Sequence, residues 1–157
     1  MEKEKKQVFS VRITQSNRTE LVAIMYEMMD VYLEDAVKAK AADQKEEFKQ
    51  NIRWTDNILN ELISTLNFDH EISQYLYRLY MWCREQLALS ISLYSTSGIE
   101  EAKKVLDKLG TAFHELAKLD DSSPEMKHVQ KVAYGVTYGR QDINESVISE
   151  SNRGFLA

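Results

Sequence analysis

Residues 17–39 read NRTELVAIMYEMMDVYLEDAVKA. Leu21, Ile24, Met25, Met28, Tyr32, Ala36 and Ala39 recur at steps of three and four, the period that lines side chains along one face of an α-helix. At the start, Asn17 stands three residues before Glu20. That is the spacing of a capping box, in which each side chain satisfies a free backbone N–H of the other residue. The pattern predicts a helix running to residue 40, with an apolar stripe that other helices must cover.

The same signals continue along the chain. Asp43 and Glu46 repeat the capping spacing, and a second helix is predicted over 44–67, with Phe48, Ile52, Thr55, Leu59, Leu62 and Leu66 on one face. Trp54, Ile58 and Ile63 lie off that stripe and point to a second neighbour or a partner. A short Asn67-Phe68-Asp69 step suits a tight connection between antiparallel helices. The third helix, 70–95, carries Ile72, Tyr75, Leu76, Leu79, Cys83, Leu87, Ser90 and Ile91, thickened by Tyr77, Tyr80, Met81, Trp82 and Tyr94. A helix so apolar all round is expected at the centre of a bundle. Ser97 and Glu100 open a fourth helix with Val105, Leu109, Ala112, Phe113 and Leu116, ending near residue 119. Ser123 and Pro124 then start a short fifth helix through Tyr134, proline being harmless at a first helical position.

Backbone punctuation agrees. The 157 residues hold 5 glycines and 1 proline, and between residues 16 and 122 there is no proline and only Gly98 and Gly110. An all-β fold with many tight turns is disfavoured. The predicted fold is all-α: an antiparallel, up-down four-helix bundle with a short fifth helix and flexible amino- and carboxy-terminal segments. Its parts are an arm over 1–15, compatible with extended or helical structure, a bundle domain over 16–135, and a tail over 136–157.

Composition excludes several function classes. A net charge of −5 is unsuited to displacing counterions from nucleic-acid phosphates. The single Cys83 has no internal disulfide partner and suits a reducing compartment. Met1 to Lys6 mix Glu and Lys, unlike a signal peptide. The longest apolar run, Leu21 to Tyr26, falls far short of the roughly 20 residues that span a bilayer. A cytoplasmic protein without membrane insertion is expected.

Catalytic chemistry finds no support. A di-iron bundle needs two Glu-x-x-His pairs, whereas Glu125 and His128 supply one. His70 and His114 lack a second histidine four residues on, so a zinc-protease pattern fails. Cys83 reads as a small buried hydrophobe, and no glycine-rich phosphate loop is present. No enzyme activity, metal or cofactor is expected. What exceeds the needs of a core is apolar surface: Met25, Met28, Met29 and Met81 with many aromatics, a composition that suits the binding of amphipathic helices.

In its order of motifs the chain resembles the FliS flagellin export chaperones. Glu20-Leu21 and Met25-Tyr26 stand at the spacing of the family's opening Glu-Leu and Leu-Tyr steps. Ile58-Leu59, Leu62 and Leu66 resemble its second-helix pattern, and Leu76, Leu79-Tyr80, Trp82, Arg84 and Leu87 its third. Val105, Leu106 and Leu109 fit the fourth, so the resemblance covers residues 17 to 119. Departures are Arg18 for a usual proline, Phe113 for tryptophan, Ser90-Ile91 for Ala-Asn, and Phe9 as nearest stand-in for a tyrosine in the arm.

The resemblance implies a cytoplasmic, non-catalytic chaperone. It would bind the C-terminal amphipathic helices of flagellin, prevent their premature polymerisation and assist delivery to a flagellar export gate component. Tyr26, Met29, Trp54, Ile58, Leu62, Tyr80 and Trp82 are the expected partner contacts. Phe9 in the arm and Phe155-Leu156 in the tail are expected to cover the groove when no client is present. The alternative is a non-catalytic helical adaptor, or a homo-oligomerising structural protein, with a different helical partner. Oligomeric state is left open.

Overall fold

The computed structural model describes residues 1–124 of the chain. Among them are five helices: α1 (Lys3–Gln15), α2 (Arg18–Ala41), α3 (Lys45–Ser64), α4 (Glu71–Leu93) and α5 (Ser97–Leu119). Helices α2 to α5 form the predicted antiparallel bundle, with α2 packing on α3 and α5, and α4 completing the square against the same two helices. The amino-terminal arm is itself helical and lies on α2. Phe9 and Ile13, one turn apart, bury themselves there, so the segment is held against the bundle and is not a free arm. The fifth helix predicted from Pro124, with Glu125 and His128, and the tail over 136–157 lie outside the described residues.

Helix α2 is the middle of the molecule. Eleven of its residues are buried, among them every member of the predicted stripe and also Ala23, Tyr26, Met29 and Leu33. With α3 and α5 at its sides, α1 outside and Tyr26 reaching across to Tyr80 of α4, it is covered all round. The sequence placed α4 in that position. Instead α4 buries Ser73, Tyr80, Cys83, Leu87 and Ser90, with Leu76 and Ile91 partly covered, and shows a wide apolar face to solvent. The correction has a simple cause. Apolar content says that a helix has surface to cover, but which helix receives a fifth neighbour depends on where α1 returns.

The ends of the helices show where local signals succeed. The Asn17–Glu20 capping box forms in both directions, each bond 2.9 Å long. Asn17 also donates from its side-chain amide to the Asp120 carbonyl at 3.1 Å, fastening the end of α5 to the start of α2. The Asp43–Glu46 box does not form. Asp43 takes a left-handed backbone (φ 55°), and its carboxylate accepts a hydrogen bond from the Tyr94 hydroxyl at 3.0 Å. Tyr94 is also left-handed (φ 48°), so the two strained corners brace each other. At α5, Thr96 takes the N-cap position in place of Ser97. The Ile99 N–H donates to Ser90 Oγ of α4 at 3.0 Å, a cap supplied by tertiary structure.

The two helical glycines differ in what surrounds them. A Cβ on Gly98 would lie 2.1 Å from the Gln86 carbonyl oxygen and 2.6 Å from Ser90 Oγ, whereas one on Gly110 would meet Tyr26 Cβ at 3.3 Å. Gly98→Ala should therefore destabilise by about 2 kcal/mol or more, because backbone must move. Gly110→Ala should stay within about 1 kcal/mol of the parent, its helix propensity offsetting mild crowding. Urea denaturation of the two variants measures the difference.

Candidate functional site

The seven expected partner contacts separate into two groups. Tyr26, Met29, Ile58, Leu62 and Tyr80 are core residues, each no more than 4% exposed. They cannot touch a partner while the bundle is closed, which corrects the sequence expectation. Their off-stripe positions serve internal neighbours: Met29 is wholly buried in the crowded middle of α2, and Tyr26 stacks on Phe113 at 5.3 Å. The Tyr26 and Tyr80 hydroxyls meet at 2.6 Å. Burial raises both phenol pKa values, so the pair stays neutral and shares one hydrogen bond in a dry setting. Only Trp54 and Trp82 keep accessible surface.

Trp54 belongs to the seat of α1. Its ring packs on Tyr32 at 5.1 Å, and the Lys6 ammonium lies 4.9 Å above it. Polar contacts surround the two anchors Phe9 and Ile13: Arg12 forms a two-pronged ion pair with Glu27, and the Met1 amino group lies 2.7 Å from the Asp35 carboxylate. His114 of α5 approaches the same Glu27 at 3.3 Å. Val8 and Val11 face solvent. Burying two side chains contributes about 3–6 kcal/mol, while ordering each residue of the helix costs about 1–2 kcal/mol in backbone entropy. Helix α1 is consequently the least firmly held element of the fold. Of the residues expected to cover a groove, Phe9 lies in this seat, and Phe155 and Leu156 fall outside the described residues.

A second apolar surface was not singled out from sequence. Ile72, Tyr75, Leu79, Trp82, Leu89 and Leu93 run the length of α4 and are 64%, 53%, 37%, 36%, 50% and 69% exposed. Three of them had been assigned to the core face. The signal was available, since these positions repeat at alternating steps of three and four beside the buried row Ser73, Leu76, Tyr80, Cys83, Leu87 and Ser90. Two adjoining stripes on one helix merge into a single apolar band when only composition is considered.

Nothing in the described region assembles an active site. Among the described residues no group of three or more His, Cys, Asp or Glu is arranged to hold a metal ion, and no helix is long and apolar enough to cross a membrane. Cys83 is fully buried, and burial pushes its thiol up to about 12, which keeps it protonated and unreactive at neutral pH. The surfaces available for function are therefore the seat beneath α1 and the outer face of α4.

Comparison with known proteins agrees with this geometry. The model of the family described as "Flagellar protein FliS" matches residues 1–120, which takes in all five helices. A search of curated proteins returns no match.

The tyrosine pair allows a direct check that these residues support the fold. Tyr26→Phe and Tyr80→Phe should each cost about 1–3 kcal/mol, because each leaves one buried hydroxyl without a partner. The double variant should cost less than the sum, with a coupling of about 1 kcal/mol in a double-mutant cycle. Chemical denaturation of the four proteins provides the measurement.

Proposed function

The chain belongs to the FliS family, whose members are flagellar export chaperones, and from that premise we propose that this one sequesters the C-terminal amphipathic helices of flagellin. In that role it works in the cytoplasm, keeps newly made flagellin from polymerising prematurely, and assists its delivery to the flagellar export gate. The observation that carries the proposal is the seat of α1. An amphipathic helix already lies on the bundle there, anchored by two apolar side chains one turn apart and rimmed by Arg12–Glu27 and Lys6–Trp54. A client helix with apolar anchors at the same spacing uses the same surface once α1 leaves, with Trp54 as its contact.

The energetics favour exchange. A client segment that is disordered alone must offset an ordering cost of about 2–5 kcal/mol or more on binding. Occupation of the seat by α1 raises the apparent dissociation constant by the inverse of the open fraction, so the chaperone's own helix tunes how tightly a client is held. No nucleotide is required for release in this scheme.

A helical adaptor with another partner is the second reading. Met29 favours it, because this off-stripe residue is wholly buried and Ile63 is partly buried against the core, which leaves less spare apolar surface on α2 and α3 than a client groove would use.

Calorimetry with the full chain and a flagellin C-terminal peptide separates the two. Binding in or below the range of tens of micromolar is expected, and no heat at that concentration rejects the flagellin role. The double variant Phe9→Ala/Ile13→Ala should bind the peptide several-fold more tightly, since it empties the seat. An unchanged affinity would place the client elsewhere on the bundle.

A further inference from the structure

The outer face of α4 carries more organisation than exposed apolar residues ordinarily show. Ile72, Tyr75, Leu79, Trp82, Gln86, Leu89 and Leu93 follow strict alternating steps of three and four over the whole helix, the 3.5-residue repeat of a coiled-coil seam. Six of the seven are large and apolar and more than a third exposed. Single exposed hydrophobes need no explanation, but a continuous stripe of this length is an interaction surface. It faces away from α1, whose seat is on α2 at the opposite corner of the bundle.

We propose that this face pairs with the same face of a second copy of the chain, the two α4 helices running antiparallel. The charge pattern selects both the occupant and the direction. Beside the stripe, Arg78 and Glu85 are exposed and two heptad positions apart, and neither takes part in an ion pair among the described residues. Antiparallel pairing brings Arg78 of each copy beside Glu85 of the other, twice over by symmetry. Parallel pairing sets Arg78 against Arg78 and Glu85 against Glu85. The layers are complementary as well: Ile72 meets the second copy's Leu89, Leu79 meets its Trp82, and Tyr75 meets its Gln86.

That last layer matters for register. Gln86 is the single polar residue in the stripe, and a sliding of the helices would bury its amide against leucine or isoleucine. In the proposed register the amide finds the Tyr75 hydroxyl instead, the device by which one polar seam residue fixes alignment in coiled coils. The Arg78 guanidinium already lies 5.6 Å from the Tyr75 ring of its own chain and so sits at the edge of the seam. The exposed portions of the six apolar residues amount to roughly 600 Å² per copy, so the pair covers about 1,200 Å², the lower end for specific interfaces. Trp82 near the centre is the natural hot spot, and the contact is isologous and closed.

The test is sedimentation of the full chain over a wide concentration range. The parent should populate a dimer that dissociates on dilution and weakens with added salt. L89K should leave helical content unchanged by circular dichroism and abolish the dimer. R78E alone and E85R alone should each weaken dimerisation roughly tenfold. Mixing R78E protein with E85R protein should restore it as a heterodimer, because every facing pair is then of opposite sign. A parent that is monomeric at every concentration overturns the proposal, as does a dimer indifferent to L89K and to both charge reversals. If the parent stays monomeric while L89K abolishes binding of the flagellin peptide, the face belongs to the client and self-pairing is rejected. Client binding that fails in calorimetry leaves the sedimentation result independent, since the two surfaces are separate.

Discussion

Covering α2 is the constraint from which the rest of the molecule follows. A helix with eleven buried residues cannot be satisfied by two neighbours. Helices α3 and α5 close its flanks, α4 reaches it through the Tyr26–Tyr80 hydroxyl pair, and α1 covers the remaining strip with Phe9 and Ile13. Each contact is mainly hydrophobic burial, worth about 1.5–3 kcal/mol for each large side chain taken out of water. The polar contacts are arranged around this core. Arg12–Glu27, Lys103–Asp30 and Arg84–Asp56 tie neighbouring helices at the surface, where ion pairs align helices more than they stabilise them.

The same constraint explains the asymmetry of the bundle. Because α1 returns over α2, the opposite corner is left uncovered, and α4 meets solvent with a stripe of leucine, isoleucine, tyrosine and tryptophan. One corner therefore has a helix that it can release, and the other an apolar face with none. For a chaperone this separates two tasks that would otherwise compete for one groove: holding a client helix, and meeting another folded surface.

Much of the scaffold was legible from residue order. The α2 stripe and the Asn17–Glu20 box are local signals, and both form as read. The α3 face from Phe48 to Leu62 was equally clear. Other signals failed where a distant residue competed for the same atoms. Asp43 had the spacing of a cap, but its carboxylate is taken by Tyr94, 51 positions away in sequence. Ser90 looked like a neutral member of the α4 core face, yet its hydroxyl caps the start of α5. The expected contacts failed for a related reason: Tyr26, Met29, Ile58, Leu62 and Tyr80 stood off a simple stripe or looked surplus to it, and helices with three or more neighbours have no single stripe.

Helical class, helix order and antiparallel connection follow from periodicity, capping spacing and the scarcity of glycine and proline, because each depends on residues only a few positions apart. Family likeness was visible in the same way, as apolar motifs in a fixed order. Which helix is central, which apolar face is open and which aromatic rings remain accessible depend on packing. A side chain's period shows that it belongs to a face, while its exposure is set by whatever other segment of the chain arrives to cover that face. In this protein α1 arrives at α2, and α4 is left open.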